Sequence, residues 1–403
     1  MKADTNVVNA LAAENLSLLV NGQVKPNYLI IFHALSVAKN LERLVNNITT
    51  TMFRHKISHR LERIADGKII IRVREVEEAV KVASRVFGVS HVRAAVKLKA
   101  SVEGVASYLL RVWEEATKGG KACVVSVNSA ERCKHSTDFA ERLSGVVSEK
   151  INVENVAKDS EGIDVSVEVF EDEVYVSLPL YSGLGGLPFG SQGKAVCLVS
   201  GGIDSPVAAW LAMKKGCVPI FIYYDNYPFT GETTKQRALD VIKKLSEYTP
   251  EGRVKVYVIP HGGDLTDILR NCPRKLTCVL CRRMMYRLAE RVANMEGAEA
   301  IVTGEIIGEH ASQTLRNLRV ENGALTEVCV LRPLIGMDKV EVERLARKIG
   351  TFEASSRPAL CCSAPPRRPR THASLREVAE AEEGLSIGDM IERDISGAEI
   401  LKV

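Results

Sequence analysis

The apolar run Val196-Cys197-Leu198-Val199 leads straight into Ser200-Gly201-Gly202-Ile203-Asp204-Ser205, and Pro206 to Lys215 follow at helical spacing. A buried strand, a turn of two glycines and an immediate helix leave the chain little choice of shape. The amides of the turn and of the first helical turn can point at a phosphate group, whose negative charge the helix dipole favours. Ser205 is placed to cap the helix or donate its hydroxyl, and Pro206 suits the first helical position. The turn lacks the Lys of a Walker A loop, so kinase or GTPase chemistry, in which that Lys meets the terminal phosphates, does not fit. The plainer alternative is a structural strand-to-helix turn without a ligand.

Around this segment the chain alternates strand and helix. Apolar runs at 195–199, 218–224, 254–259, 300–303 and 328–331 are separated by helical stretches, which predicts a mostly parallel sheet covered on both faces. Ligands of such sheets sit at the carboxyl ends of the strands. The front half reads differently. Residues 1–25 show weak periodicity and form an N-terminal extension. The order βαββαβ over 26–100, with an Asp66-Gly67 turn pair, predicts a ferredoxin-like unit. A second block over 101–183 opens with a helix and closes with alternating valines either side of Glu171-Asp172, a hairpin with one buried face. The glycine-rich stretch 183–190 carries a proline where a dinucleotide-binding helix would start, so 184–194 reads as a linker.

Composition narrows the class. At 403 residues, 46% hydrophobic and 26% charged, the chain is long enough for two or three cores and resembles neither a disordered nor a membrane protein. No apolar run is long enough to span a bilayer and the N-terminus lacks a basic segment before an apolar one, so no membrane association and a cytoplasmic location are expected. The net charge of +4 proves no nucleic-acid partner by itself.

Ten cysteines diluted through such a length are expected to be reduced. Cys123, Cys197, Cys217 and Cys329 lie in apolar runs and read as core residues, and Cys133 and Cys272 carry no signal. Cys278 and Cys281 lie three apart at the start of a helix, which brings both thiols to one face. Two thiolates suit zinc or an iron-sulfur cluster but complete neither, so a third ligand is required.

The segment SGGIDS resembles the pyrophosphatase loop (PP-loop) of enzymes that split ATP between its α and β phosphates. Beyond it, SGGIDSPVAAWLAMKKG, the PFT at Pro228 to Thr230, RRMMYRLAERVA from Arg282, TGEIIGEHASQT from Thr303, RPLIGMDKVEVERLARKIGT from Arg332 and the upstream GGLPFGSQGK are similar to the tRNA 4-thiouridine synthetases (tRNA uracil 4-sulfurtransferases). The resemblance implies an α/β multidomain chain: ferredoxin-like (26–100) and THUMP (101–183) domains, then a Rossmann-like PP-loop ATP pyrophosphatase domain with a parallel sheet over 195–403, including a C-terminal tail. It implies ATP and Mg2+ as cofactors. Leu198, Val199, Ser200, Gly201, Gly202, Asp204, Ser205, Tyr223, Tyr224, Arg282, Gly304 and Gln313 would meet the nucleotide, with Asp204 holding magnesium or orienting phosphate. Tyr223 and Tyr224 also read as plain core residues.

The family's catalytic cysteine follows its Gly-Thr motif. Counted from Gly350-Thr351, that position falls on Cys362, with Cys361 as the alternate. Cys362 would therefore complete a set with Cys278 and Cys281. An iron-sulfur cluster is the favoured occupant, with zinc or ligand-free thiols as alternatives. The sulfur would arrive as sulfide or from a cysteine-desulfurase-type persulfide donor, since the chain ends at Val403 without a rhodanese domain, the archaeal-like form. The resemblance further implies a homodimer and tRNA as partner, with 4-thiouridine formed at position eight. Basic residues that would contact tRNA are Arg54, His55, Lys56, His59 and Arg60; Arg132, Lys134 and His135; and Arg367, Arg368, Arg370 and His372. The segment 33–39 and the stretch 129–139 depart from the family's basic pattern. The rival readings are another PP-loop adenylating enzyme with a different substrate and a catalytically silent RNA-binding protein.

Overall fold

The computed structural model describes residues 25–118, 123–129, 134–150, 163–170, 173–178, 181–310, 312–359 and 362–403. The extension 1–24, Arg132, Cys133 and Cys361 lie outside the described residues. The chain forms two compact units, one ending at Pro188 and the other starting at Phe189.

In the first unit, strands β1 (Tyr28–His33), β2 (His59–Ala65), β3 (Lys68–Val73), β4 (Val89–Lys99), β5 (Cys123–Ser129), β6 (Ile163–Phe170) and β7 (Glu173–Ser177) form one sheet in the order β2-β3-β1-β4-β7-β6-β5, with β8 (Tyr181–Ser182) on β4. The β2–β3 turn holds Asp66 at φ 46° and Gly67 at φ 72°, the left-handed pair that matches the twist of a hairpin. Helices α1 (Leu41–Arg54) and α2 (Val76–Ser84) bury Leu44, Ile48, Met52 and Val80 against Leu29, Ile31, Ile69 and Ile71. Helices α3 (Val102–Lys118) and α4 (Lys134–Lys150) bury Val105, Leu109 and Leu143 against Val165, Val167, Val174 and Val176. The βαββαβ order is as expected, but β4 pairs with β7 as well as β1, so a single sheet runs through residues read as two domains.

The first part of the presumed linker is bonded into this unit: Gly185 N–H donates to the Val89 carbonyl at 2.7 Å, and Gly88 N–H to that of Gly185 at 2.8 Å. A Cβ at Gly183 would lie 2.2 Å from the Val89 carbonyl oxygen, so glycine there serves close packing rather than a free hinge.

The second unit is a doubly wound sheet. Strands β9 (Lys194–Leu198), β10 (Val218–Asp225), β11 (Lys255–Pro260), β12 (Ala300–Val302) and β13 (Cys329–Leu331) are parallel, in the order β13-β12-β9-β10-β11. The chain leaves β9 in one direction and returns to its other side at β12, so the crevice of this topology opens at the carboxyl end of β9. Helices α5 (Asp204–Lys214), α6 (Glu232–Ser246), α7 (Gly262–Asn271), α8 (Thr277–Glu296), α9 (Leu315–Asn322), α10 (Lys339–Ile349) and α11 (Phe352–Ser355) connect or follow the strands.

The end of the chain adds elements that the sequence does not signal, and one core reading needs correction. The C-terminal tail is folded: α12 (Leu375–Glu382), α13 (Ile387–Ser396) and β14 (Glu399–Lys402) end the chain, with β14 antiparallel on β11 and covering its edge. Four residues are too few for a strand period to register in sequence. Cys329 is exposed, because β13 is an edge strand, whereas Cys197 is buried as expected and Cys217 is intermediate.

Candidate active site

The end of β9 is fixed by Val199 N–H donating to the Ile222 carbonyl of β10 at 2.9 Å. From there the loop closes on its own hydroxyls. Ser200 N–H donates to Ser205 Oγ at 2.9 Å, Gly202 N–H donates to Ser200 Oγ at 3.2 Å, and the two hydroxyls lie 3.1 Å apart. Helix α5 starts at Asp204, so Ser205 is already helical and Pro206 is the third helical residue, not the first. Ser205 therefore ties back the loop instead of capping the helix. A Cβ at Gly304 would stand 2.5 Å from Ser205 N and 2.6 Å from its Cα. The chain leaving β12 passes so close to the start of α5 that only glycine fits.

A cavity of about 410 Å³ opens at this point. Its wall contains Leu198, Val199, Ser200, Gly201, Gly202, Asp204 and Ser205 from β9 and the loop, Tyr223 and Tyr224 from the end of β10, Arg282 from α8, Gly304 after β12, and Gln313. All the residues expected at the nucleotide thus share one hollow. Tyr223 and Tyr224 are also buried, so their core and lining readings hold together. Cys362 borders the same cavity. Two further features suit a nucleotide. Gln313 Oε1 and Asn226 Oδ1 are buried in residues of this wall without a hydrogen-bond partner among the described residues, leaving acceptors free for a ligand's amino group.

The wall also holds residues that motif reasoning does not single out as ligands: Asn226 and Arg237, outside every motif, and Thr230 and His310, inside the PFT and TGEIIGEHASQT segments. Lys339 matters more. Its ammonium donates to Asp204 Oδ1 at 2.6 Å and lies 3.5 Å from Glu309. Burial works against that charge, but Asp204 and Glu309 outweigh it and raise the Lys339 pKa. Lys339 opens α10, where Asp338 and Glu341 form a capping box. The box is legible in the sequence; contact with a residue 135 positions earlier is not.

Beneath Arg282 lies a buried charge network. Burial opposes the charge on Arg282, yet the Glu305 carboxylate, 3.4 Å away, outweighs it. Glu305 also accepts from Tyr286 at 3.0 Å, Thr303 at 3.0 Å and Arg332 at 2.5 Å. Burial raises its pKa, but the flanking arginines and these donors bring it below the usual carboxylate range. Glu321 differs. It is fully buried, neither oxygen has a partner among the described residues, and burial pushes its pKa up to about 8.

Cys278 and Cys281 face one side of the first turns of α8. Burial raises both thiol pKa values, and Cys362 raises both further, which puts the three sulfurs in one neighbourhood. Thiolates crowded in this way call for a cation. The sulfurs are not all within 4.8 Å of one another; among the described residues the one trio of ligand atoms that close is His261, Asp264 and Asp394. Two sulfurs on a single zinc would stand roughly 3.8 Å apart, given Zn–S bonds of about 2.3 Å. At least one pair of the three sulfurs therefore stands wider apart than two ligands of one zinc. His261 Nε2 lies 3.2 Å from Cys281 Sγ, and its Nδ1 is 2.8 Å from Asp264 Oδ2. Burial pushes the His261 pKa down to about 4, so the ring is neutral near pH 7.

The basic residues expected to hold RNA have a mixed placement. Arg54, at 3.1 Å from His55 Nε2, ends α1, and His59 and Arg60 open β2. Arg367 and Arg368 are exposed, while Arg370 pairs with Glu377 at 3.2 Å. Arg132 and the side chains of Lys134 and His135 lie outside the described residues. Among the described residues no helix is long and apolar enough to cross a membrane.

Comparison with known proteins agrees with this geometry. Residues 190–387 match the family model described as Thiamine biosynthesis protein (ThiI). The chain is 34% identical over 365 residues, 89% of its length and 90% of the relative's, to the probable tRNA sulfurtransferase of Methanosarcina mazei. It is 36% identical over 364 residues to the Methanothermobacter thermautotrophicus protein of the same name, covering 88% of this chain and 91% of that one. A crystal structure of a 4-thiouridine synthetase–RNA complex with bound ATP superposes with a TM-score of 0.80 at 26% identity, over 94% of this chain and 100% of the other. The chain belongs to the tRNA sulfurtransferase family.

Proposed function

We propose that this tRNA sulfurtransferase forms 4-thiouridine at position eight of tRNA by adenylating the uracil C4 oxygen and replacing it with sulfur. The observation that carries the reading is that the loop at 200–205 and Cys362 border one cavity, so phosphate chemistry and sulfur chemistry share a space.

The C4 oxygen attacks the α phosphorus of ATP, and the bond to pyrophosphate breaks. The Gly201 amide and those of the first turn of α5 receive the departing diphosphate, in a loop braced by the bonds from Ser200 N–H and Gly202 N–H to the serine hydroxyls. Arg282 and Lys339 neutralise its charge, the latter in the role that a Walker Lys has elsewhere. Asp204, which accepts from Lys339, would hold magnesium, which would supply Lewis-acid charge to the phosphates. Carbon 4 then bears AMP as leaving group. Sulfur adds at that carbon, the C4–O bond breaks and AMP departs. An iron-sulfur cluster held by Cys278, Cys281 and Cys362 would supply the sulfur as sulfide; zinc is the second reading of the same thiols. Refilling falls to free sulfide, or to a cysteine-desulfurase-type persulfide donor together with a pair of thiols that supply the two electrons and leave as a disulfide. The exposed residues His55, Lys56, Arg60, Arg367 and Arg368, with the half-buried Arg54 and His59, would contact tRNA phosphates, and the active form would be a homodimer.

Anaerobic incubation of the protein with ATP, magnesium, sulfide and tRNA tests this reading, with nucleoside analysis and fragment mapping as readout. The expected products are 4-thiouridine at position eight, AMP and pyrophosphate. ADP as the nucleotide product, or a different thiolated base, would contradict it. Iron analysis decides between cluster and zinc, and native mass spectrometry tests the dimer.

A further inference from the structure

We propose that His261 is a positioning residue for Cys281, aiming its sulfur at the metal group and holding it there by a hydrogen bond. The assignment rests on the reading of Cys278, Cys281 and Cys362 as ligands, and adds to it residues from two segments outside every motif of the sequence.

His261 stands where β11 gives way to α7 and is entirely buried. Its backbone is pinned: His261 N–H donates to the Asp225 carbonyl at 2.8 Å, and a Cβ on the next residue, Gly262, would fall 1.7 Å from the Tyr227 carbonyl oxygen. The ring is held as firmly. Asp264 Oδ2 lies 2.8 Å from Nδ1, and Arg393, from α13, donates to Asp264 Oδ1 at 2.5 Å. Arg393 also donates to Asp394 at 2.9 Å and to Asp267 at 3.2 Å, so the guanidinium is anchored on three carboxylates. On its other flank the ring meets Tyr224, with centroids 5.5 Å apart.

A carboxylate paired with an arginine accepts a hydrogen bond, which places the His261 proton on Nδ1 and the lone pair on Nε2. That lone pair faces Cys281 Sγ at 3.2 Å. The thiol donates to it, and this fixes the direction of the sulfur. When the sulfur is ligated as thiolate, passage of the Nδ1 proton to Asp264 and a proton on Nε2 would keep the ring neutral and complete the same contact from the other side. One proton lies between the two atoms in either case. Such partners behind a ligand orient it, and losing one costs about 10–100-fold in metal affinity.

The plainer reading is a satisfied core histidine whose contact with sulfur is incidental. Four full-length proteins separate the two: wild type, His261→Phe, His261→Gln and Cys281→Ser, each checked for folding by thermal melting and for ATP binding by calorimetry. The readouts are iron and sulfide content after anaerobic reconstitution, the visible charge-transfer spectrum, and the alkylation rate of Cys281 in the metal-free protein. Phe fills the space without a nitrogen; the amide of Gln can restore the contact.

We expect His261→Phe, folded and ATP-binding, to retain metal about 10–100-fold more weakly, with a shifted spectrum and altered Cys281 alkylation, and His261→Gln to stay close to wild type. If His261→Phe matches wild type while Cys281→Ser loses metal, the positioning role is wrong and the ligand reading stands. If Cys281→Ser also keeps wild-type metal and spectrum, the ligand reading fails and this inference with it. Should both His261 variants unfold, the alkylation rate in Asp264→Asn, which frees the ring, must change; an unchanged rate overturns the proposal.

Discussion

The loop that ends β9 and the thiol neighbourhood beside it are built by opposite means. The loop is made of consecutive residues, and what it offers a ligand is mostly main chain: the Gly201 amide and a helix start, braced by two serine hydroxyls that take the Ser200 and Gly202 amides. The thiol region is made of side chains brought together from α7, α8, α9, α13 and the segment at Cys362. A main-chain site tolerates change in most of its side chains and depends on shape. A side-chain site depends on every partner, because each buried polar group left alone costs about 1–3 kcal/mol. The same contrast governs what each can lose without harm to the other.

The largest effect should come from separating the two. Cys278→Ala is expected to abolish 4-thiouridine formation while ATP binding, measured by calorimetry, stays within about twofold, since the loop does not use that thiol. Loss of both would show that the regions are one site. Next, Lys339→Ala should lower the rate of AMP formation about 100- to 1000-fold, the usual cost of removing a charge partner from a developing anion. Its melting temperature should change little, because the ammonium is 41% exposed and its pairing is a partly solvated one.

Gly304→Ala tests shape rather than charge. A methyl 2.5 Å from Ser205 N must push β12 and α5 apart, at about 1–3 kcal/mol of stability and with weaker ATP binding. A neutral result would mean that the close approach is not required. The last shift is electrostatic and accrues gradually with pH. Glu321 ionises at about 8 in the folded chain, against an ordinary 4.5 when unfolded. The stability it contributes is fully present below about 4.5 and is lost as pH rises through about 8. Metal-free Glu321→Gln should therefore gain on wild type by roughly 1 kcal/mol per pH unit across that window and level off above it, read from urea melts at several pH values. A difference independent of pH would place the Glu321 carboxyl in a partnered state.

The two regions also differ in how far the sequence betrays them. SGGIDS is contiguous and its glycines have a local reason, so the loop and the β10 end at Tyr223 and Tyr224 can be located before any coordinates are known. Gly304 belongs to the same category, although the close approach behind it emerges only when β12 is set beside α5. By contrast, His261, Glu305, Glu321 and Lys339 carry no periodicity or spacing signal, because each acts on a partner far along the chain. Ser205 misleads for a related reason: hydroxyls favour caps in general, but here the oxygen is taken by Ser200 N–H. In the fold, strands with strong alternation such as β6 and β7 are legible, while β14 is too short and the sharing of β4 between two halves of one sheet is a matter of pairing partners.

The central claim is that the uracil C4 oxygen attacks the α phosphorus while the loop at 200–205 steadies the leaving pyrophosphate. It can be followed with one isotope. If tRNA carrying 18O at C4 of the target uridine is converted in the presence of ATP, magnesium and sulfide, each 4-thiouridine formed should be matched by one AMP bearing the label. Unlabelled AMP accompanying 4-thiouridine would contradict the account, because the oxygen would then have left carbon 4 without ever being bound to phosphorus.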